Sequence, residues 1–187
     1  MKRSAFDPHR VDVAALAADH AHRAGSLALA ELPRLRADEP PGFELESPPI
    51  EWCVDGEARP VTGGEPQIRL RLQAHGSVWR ECQRCLQPVA IALDIDRPLR
   101  FVRGEDAAAA LDADNDEEDV LELKPRIDLV ELIEDELLMA LPIVPRHESC
   151  PQPLPQPADH ATQAEEEATV APHPFAALAA LKGRGDD

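Results

Sequence analysis

Residues 68–95 read IRLRLQAHGSVWRECQRCLQPVAIALDI. The stretch opens with strict alternation. Ile68, Leu70 and Leu72 fall on one face and Arg69 and Arg71 on the other, the period of a half-buried strand. Val89, Ile91, Leu93 and Ile95 repeat the pattern on the far side. Between the two runs stand Cys82 and Cys85, separated by Gln83 and Arg84. An antiparallel meander with the CxxC in one of its connections accounts for all three features. LRFV at 99–102 continues the sheet, and IEWCV at 50–54 adds a strand in which Cys53 points opposite to Trp52 and Val54. DGEARP then reads as a turn.

Two stretches of the first 150 residues carry helical patterns. IDLVELIEDELLMAL, 127–141, has Asp128 as N-cap, Glu131 three residues on in a capping-box arrangement, and Pro142 as the stop. Its apolar surface is wide enough for extensive burial, and Glu131, Glu134 and Asp135 read as its exposed face. Residues 12–24, DVAALAADHAHRA, predict a short N-terminal helix between Asp12 as cap and Gly25 as stop. LALAELPRL, 27–35, has mixed periodicity and fits either type. Residues 104–122 carry nine acids and no base and read as a flexible acidic loop. Within it DADND imitates the start of a calcium loop, but Glu117 and Leu123 stand where glycine and glutamate are needed. The expected fold is α+β. It is an antiparallel β-sheet or partly open barrel with one long packed helix, an N-terminal helix, and a disordered acidic, proline-rich C-terminal region. Residues 1–150 form one domain in this reading. Residues 151–173 are a linker by composition, and 174–183, PFAALAALKG, a short helical motif with Phe175, Leu178 and Leu181 along one face.

The chain of 187 residues holds 19 prolines, four phenylalanines, two tryptophans and no tyrosine. Large core residues are scarce, so much of it is loop or tail. No apolar run reaches the roughly 18 residues that a membrane span needs. The basic start lacks an apolar segment behind it, so a secretory signal is not expected and the compartment is read as the reducing cytoplasm. The net charge is −17, which repels nucleic acid as a whole. Residues 69–103 depart from this, with seven arginines against three acids. That basic island can attract RNA locally, while the acidic remainder suits a basic protein; a solvated sheet face with an acidic tail is the plain alternative.

The cysteines admit three readings. A redox CxxC needs its first thiol at a helix N-terminus, and the flanks here read as strands. A CxxC is also half of a closed zinc site, which needs four ligands. RHESC, just past the long helix, offers His147 and Cys150, and with Cys82 and Cys85 these make three sulfurs and one imidazole. The third reading is that all four cysteines are inert; Cys53 in particular reads as a small buried hydrophobe. No paired carboxylates or histidine–nucleophile set marks a reaction centre, so no enzyme activity and no small-molecule substrate are expected.

CQRCLQPV at 82–89, IDLVELIEDELLMALPIVPRH at 127–147 with Cys150, and HPFAALAALK at 173–182 together resemble the YceD family. Its members are described as large ribosomal RNA subunit accumulation proteins. The matching positions are Cys82, Arg84, Cys85 and Leu86, then Asp128, Leu129, Glu131, Glu136, Leu141, Pro142, Pro145 and Cys150, and finally Pro174, Phe175, Leu178 and Leu181. The resemblance implies a bacterial cytoplasmic, non-enzymatic ribosome-biogenesis factor that supports synthesis, processing or stability of large-subunit (23S) ribosomal RNA. It adds weight to zinc as cofactor. The partners expected are the pre-ribosomal large subunit, ribosomal RNA and a basic ribosomal protein. Arg69, Arg71 and Arg84 would contact phosphates, for which guanidinium geometry is suited. The alternative is a zinc-stapled protein–protein adaptor that binds through Phe175, Leu178 and Leu181 and never contacts RNA.

Overall fold

A computed structural model describes residues 6–40, 47–115 and 118–151. All of its elements lie in the unit Met1–Cys150. The expected linker beyond Pro151 and the PFAALAALKG motif with Phe175, Leu178 and Leu181 lie outside the described residues.

The alternating stretch forms the centre of the fold. Strand β3, Gln67–Glu81, and strand β4, Pro88–Val102, are fifteen residues each and pair antiparallel from Glu81↔Pro88 to Ile68↔Phe101. In this register even-numbered residues of β3 face odd-numbered residues of β4. Leu70, Leu72, Ala74 and Val78 therefore share one buried face with Leu93, Ile95, Leu99 and Phe101. Pro98 sits inside β4 because that edge is still open there: the next strand pairs only from Leu99 onward.

Strands β1, His22–Leu27, and β2, Ile50–Arg59, extend the sheet on the far side of β3. The fifth strand, β5 at Asp119–Glu122, joins β4 in parallel, giving the order β1-β2-β3-β4-β5. The sheet is therefore mixed and open, with β1 and β5 as its edges, rather than a barrel. A parallel neighbour needs a crossover, and residues 104–122 supply it. In place of the expected flexible loop they hold a helix, α3 at Glu105–Asp112, and then β5. Acid-rich composition concealed the few residues that decide this. Ala108 and Val120 are buried, and Asp112 accepts a 2.8 Å hydrogen bond from the Val120 amide.

Helix α1, Val13–Ala18, starts where expected: the Asp12 carboxylate accepts the Ala15 amide at 2.9 Å. It ends earlier than its Ala-rich sequence suggests, at a left-handed His20, and residues 22–24 enter β1. Gly25 is then a packing residue, since a Cβ there would meet the Trp52 ring at 2.8 Å. The ambiguous 27–35 stretch resolves into the end of β1, a single 3-10 turn at Leu29–Glu31 and helix α2, Pro33–Ala37. The long helix, α4 at Leu129–Ala140, is capped by Asp128, which accepts the Val130 and Glu131 amides at 2.9 and 3.1 Å. Leu129, Ile133 and Leu137 bury fully against the sheet, each worth roughly 1.5–3 kcal/mol of transfer free energy.

Glu134 is buried, against the sequence expectation. It accepts the Arg34 and Leu35 amides at 2.7 and 3.1 Å, the donors left open at the start of α2. Buried Arg80 of β3 donates to the Leu35 carbonyl at 2.7 Å from the other side. Opposite charges from α4 and β3 thus clamp α2 and fix the height of α4 over the hairpin.

Gly56 marks the closest approach of α1 to the sheet, where a Cβ would lie 2.5 Å from the Leu16 carbonyl oxygen. Backbone cannot rotate out of the way as a side chain can. Gly56→Ala should lower stability by about 1–3 kcal/mol in chemical denaturation, and Gly64→Ala, in an open turn, should change it by less than about 0.5 kcal/mol.

Candidate metal centre at the hairpin tip

The β3–β4 connection is a tight loop that turns sulfur inward. The Cys82 amide donates to the Gln87 carbonyl at 2.9 Å, and the Leu86 amide returns to the Cys82 carbonyl at 2.8 Å. Closing the loop puts Leu86 at φ 58°, a left-handed conformation that a leucine side chain resists. Cys82 and Cys85 then point the same way. The chain leaving α4 meets them: Pro142 ends the helix, and the Pro145 carbonyl accepts the Gln83 amide at 2.9 Å. That backbone bond, with side-chain contacts from Arg84 and His147, brings His147 and Cys150 to the hairpin tip across more than sixty residues of sequence.

One ligand atom from each of Cys82, Cys85, His147 and Cys150 lies within 4.8 Å of all the others. For a tetrahedral zinc with sulfur at 2.3 Å the ligand–ligand separation is roughly 3.7 Å. The His147 Nδ1 to Cys85 Sγ distance is 3.5 Å. The other nitrogen, Nε2, lies 3.0 Å from the Pro88 carbonyl oxygen. A carbonyl only accepts, so Nε2 carries the proton and Nδ1 keeps its lone pair toward the sulfurs. Histidine ligands of metals are oriented by this kind of outer contact.

The sulfurs have their own donors. Cys82 is fully buried, which by itself raises its pKa. Amide donors from His147, Arg84 and Cys85 outweigh burial and bring the thiol down to about 5; the His147 amide lies 3.4 Å from Sγ. Burial and the neighbouring Cys150 and Cys82 sulfurs raise the Cys85 thiol despite the Gln87 amide. A site that favours one thiolate and crowds the next with sulfur is suited to a cation shared among them. The buried Cys82 sulfur cannot be reached by a disulfide substrate, which disfavours redox exchange. No disulfide links the four cysteines. Cys53 stands apart on β2, half-buried, with Sγ 3.5 Å from the Gln73 Oε1.

The arginines predicted to meet RNA are already engaged. Arg69 donates to Glu118 at 2.9 Å, and Arg71 makes a two-toothed contact with Asp96 that also holds that carboxyl below its usual range. Arg84, expected to contact phosphates, is exposed and reaches over the sulfur cluster, with Nε 3.0 Å from the Cys150 Sγ. Arg97 pairs with the buried Glu136 at 2.9 Å. Only the alternation was visible in sequence; pairing depends on cross-strand register, such as Gln73 facing Asp96, and on β5, which composition hid. Glu134 and Arg80 were missed for the same reason. The one available signal for Glu134 was its place between Val130 and Leu138 on an otherwise apolar side of the helix.

Fold and site define a class: a small α+β domain in which three cysteines and a histidine converge where the tip of the central hairpin meets the exit of α4. The family described as large ribosomal RNA subunit accumulation protein YceD matches residues 70–182, which include all four of those residues. A Haemophilus influenzae protein of the same description is 32% identical over 133 residues, covering 71% of this chain and 71% of that protein. The chain belongs to the YceD family. No solved structure matches it.

Because Asp96 neutralises Arg71, releasing that guanidinium should expose a cation. Asp96→Asn should elute from heparin at higher salt than the wild type, and Arg71→Ala, which leaves the Asp96 carboxylate unpaired, at lower salt.

Proposed function

We propose that this chain is a non-enzymatic ribosome-biogenesis factor that supports the accumulation of large-subunit ribosomal RNA, and that zinc at Cys82, Cys85, His147 and Cys150 holds its binding surface in shape. Membership of the YceD family, together with the name its Haemophilus influenzae relative bears, supports the ribosomal role. The convergence of the four side chains within 4.8 Å supports the metal. Three thiolates and an imidazole suit zinc, which prefers tetrahedral nitrogen and sulfur ligands. Bound there, zinc would close a loop between hairpin and helix exit that only hydrogen bonds from Gln83, Arg84 and His147 otherwise hold. Among the described residues no helix is long and apolar enough to cross a membrane, in keeping with work beside the ribosome in the cytoplasm.

The direct ligand is ribosomal RNA or a basic protein of the large-subunit precursor. Exposed ion pairs such as Arg71–Asp96 are worth only about 0–1 kcal/mol, so RNA phosphates can displace the internal carboxylate. The second reading, a zinc-stapled adaptor that never contacts RNA, is favoured by the pairing of Arg69 and Arg71 within the chain. Salt separates the two: phosphate contacts weaken steeply as it rises, and an apolar protein contact does not.

The full chain should purify with one zinc, keep it in Cys53→Ser and lose it in Cys85→Ser. In cells, tagged chain should sediment with large-subunit precursors, and its depletion should lower 23S relative to 16S ribosomal RNA. A metal-free wild type would remove the zinc; unchanged ribosomal RNA after depletion would remove the role.

A further inference from the structure

Four arginines of the basic island, Arg69, Arg71, Arg97 and Arg103, pair with carboxylates. Arg84 does not. Its guanidinium has no carboxylate partner among the described residues and is spent on the cluster. Nε donates to the Cys150 Sγ at 3.0 Å, and Nη2 to the His147 and Glu148 carbonyls at 3.0 and 3.3 Å.

We propose that Arg84 is a positioning residue of the metal centre, which neutralises it and holds Cys150 on the ion, rather than a contact for RNA. This rests on the zinc reading. A zinc ion with three thiolates and a neutral imidazole carries a net charge of −1. Cys82, Cys85 and His147 are all at least half-buried with Cys150, and an uncompensated charge there costs free energy. One fixed guanidinium brings the set to zero. The geometry also divides the ligands. Cys82 takes its donors from main chain that the fold fixes anyway. Cys150 is the last ligand in sequence, and its donor is the Arg84 side chain. The same side chain grips the carbonyls of His147 and Glu148, so it sets the path of the segment that delivers both ligands. An arginine fork does this where a lysine point charge cannot. Arg84 lies between the two hairpin cysteines, so the turn that orients Cys82 and Cys85 also aims the guanidinium at their partners.

The test uses zinc-loaded full chain. Release of zinc to excess EDTA is timed, and the first cysteine alkylated by N-ethylmaleimide is mapped by mass. Arg84→Ala should release zinc about 10- to 100-fold faster, with Cys150 alkylated first. Arg84→Lys should fall between it and the wild type, and Arg84→Gln, which lacks the charge, should lie nearer alanine. Arg71→Ala should match the wild type. Release from Arg84→Ala within about twofold of the wild type would overturn the role of Arg84 and leave the zinc reading intact. A wild type without zinc would overturn both.

Discussion

The Gln83 amide bonded to the Pro145 carbonyl is the contact on which the site depends. It joins the tip of the central hairpin to the exit of α4, two places that the sequence separates widely. A backbone hydrogen bond near the surface contributes about 0.5–1.5 kcal/mol net, and even with the Arg84 and His147 contacts beside it it works against the conformational entropy of a ten-residue exit segment. Side chains that converge on the same point must supply the rest. Two thiols on the turn, and an imidazole and a thiol on the exit, are well placed to do so once a metal joins them. The remaining fold serves the meeting. The long β3–β4 ladder carries the turn, and the clamp of α2 by Glu134 and Arg80 sets where α4 ends.

This arrangement bears on how a chain of net charge −17 can serve an assembly made of polyanions. Its basic island is largely neutralised from within. Arg69 and Arg71 are held by Glu118 and Asp96, Arg97 by Glu136, and Arg84 by sulfur and carbonyl oxygen. The phosphate contact proposed for Arg71 would go by exchange of its weak ion pair with Asp96, while Arg100 has no carboxylate partner among the described residues. Binding of that kind is local and sensitive to salt. The acidic remainder can meet basic protein at the same time.

Much of this was legible in the sequence where a physical period or cap was at work. The alternation over 68–73 and 89–95 placed the two central strands and their buried faces. Asp12, Asp128 and Pro142 placed helix ends. The two pairs Cys82–Cys85 and His147–Cys150 were readable as halves of one site, because metal ligands come in short spacings beside ordered elements. What failed to show depended on long-range partners. Val120 and Ala108 decide that 104–122 folds, yet they are outnumbered by acids. Residues 22–24 form a strand because β2 is there to pair with, not through any preference of their own. The direction of Arg84 follows from where Cys150 arrives, which no local pattern encodes.

The central claim is that three sulfurs and one imidazole from two distant segments hold a single zinc. X-ray absorption at the zinc edge of the full chain as purified tests it most directly. The expected spectrum has three scatterers near 2.3 Å and one near 2.0 Å, roughly the zinc–sulfur and zinc–nitrogen distances of a closed tetrahedral site. A shell of oxygen and nitrogen with no sulfur, or two sulfurs alone, would contradict it.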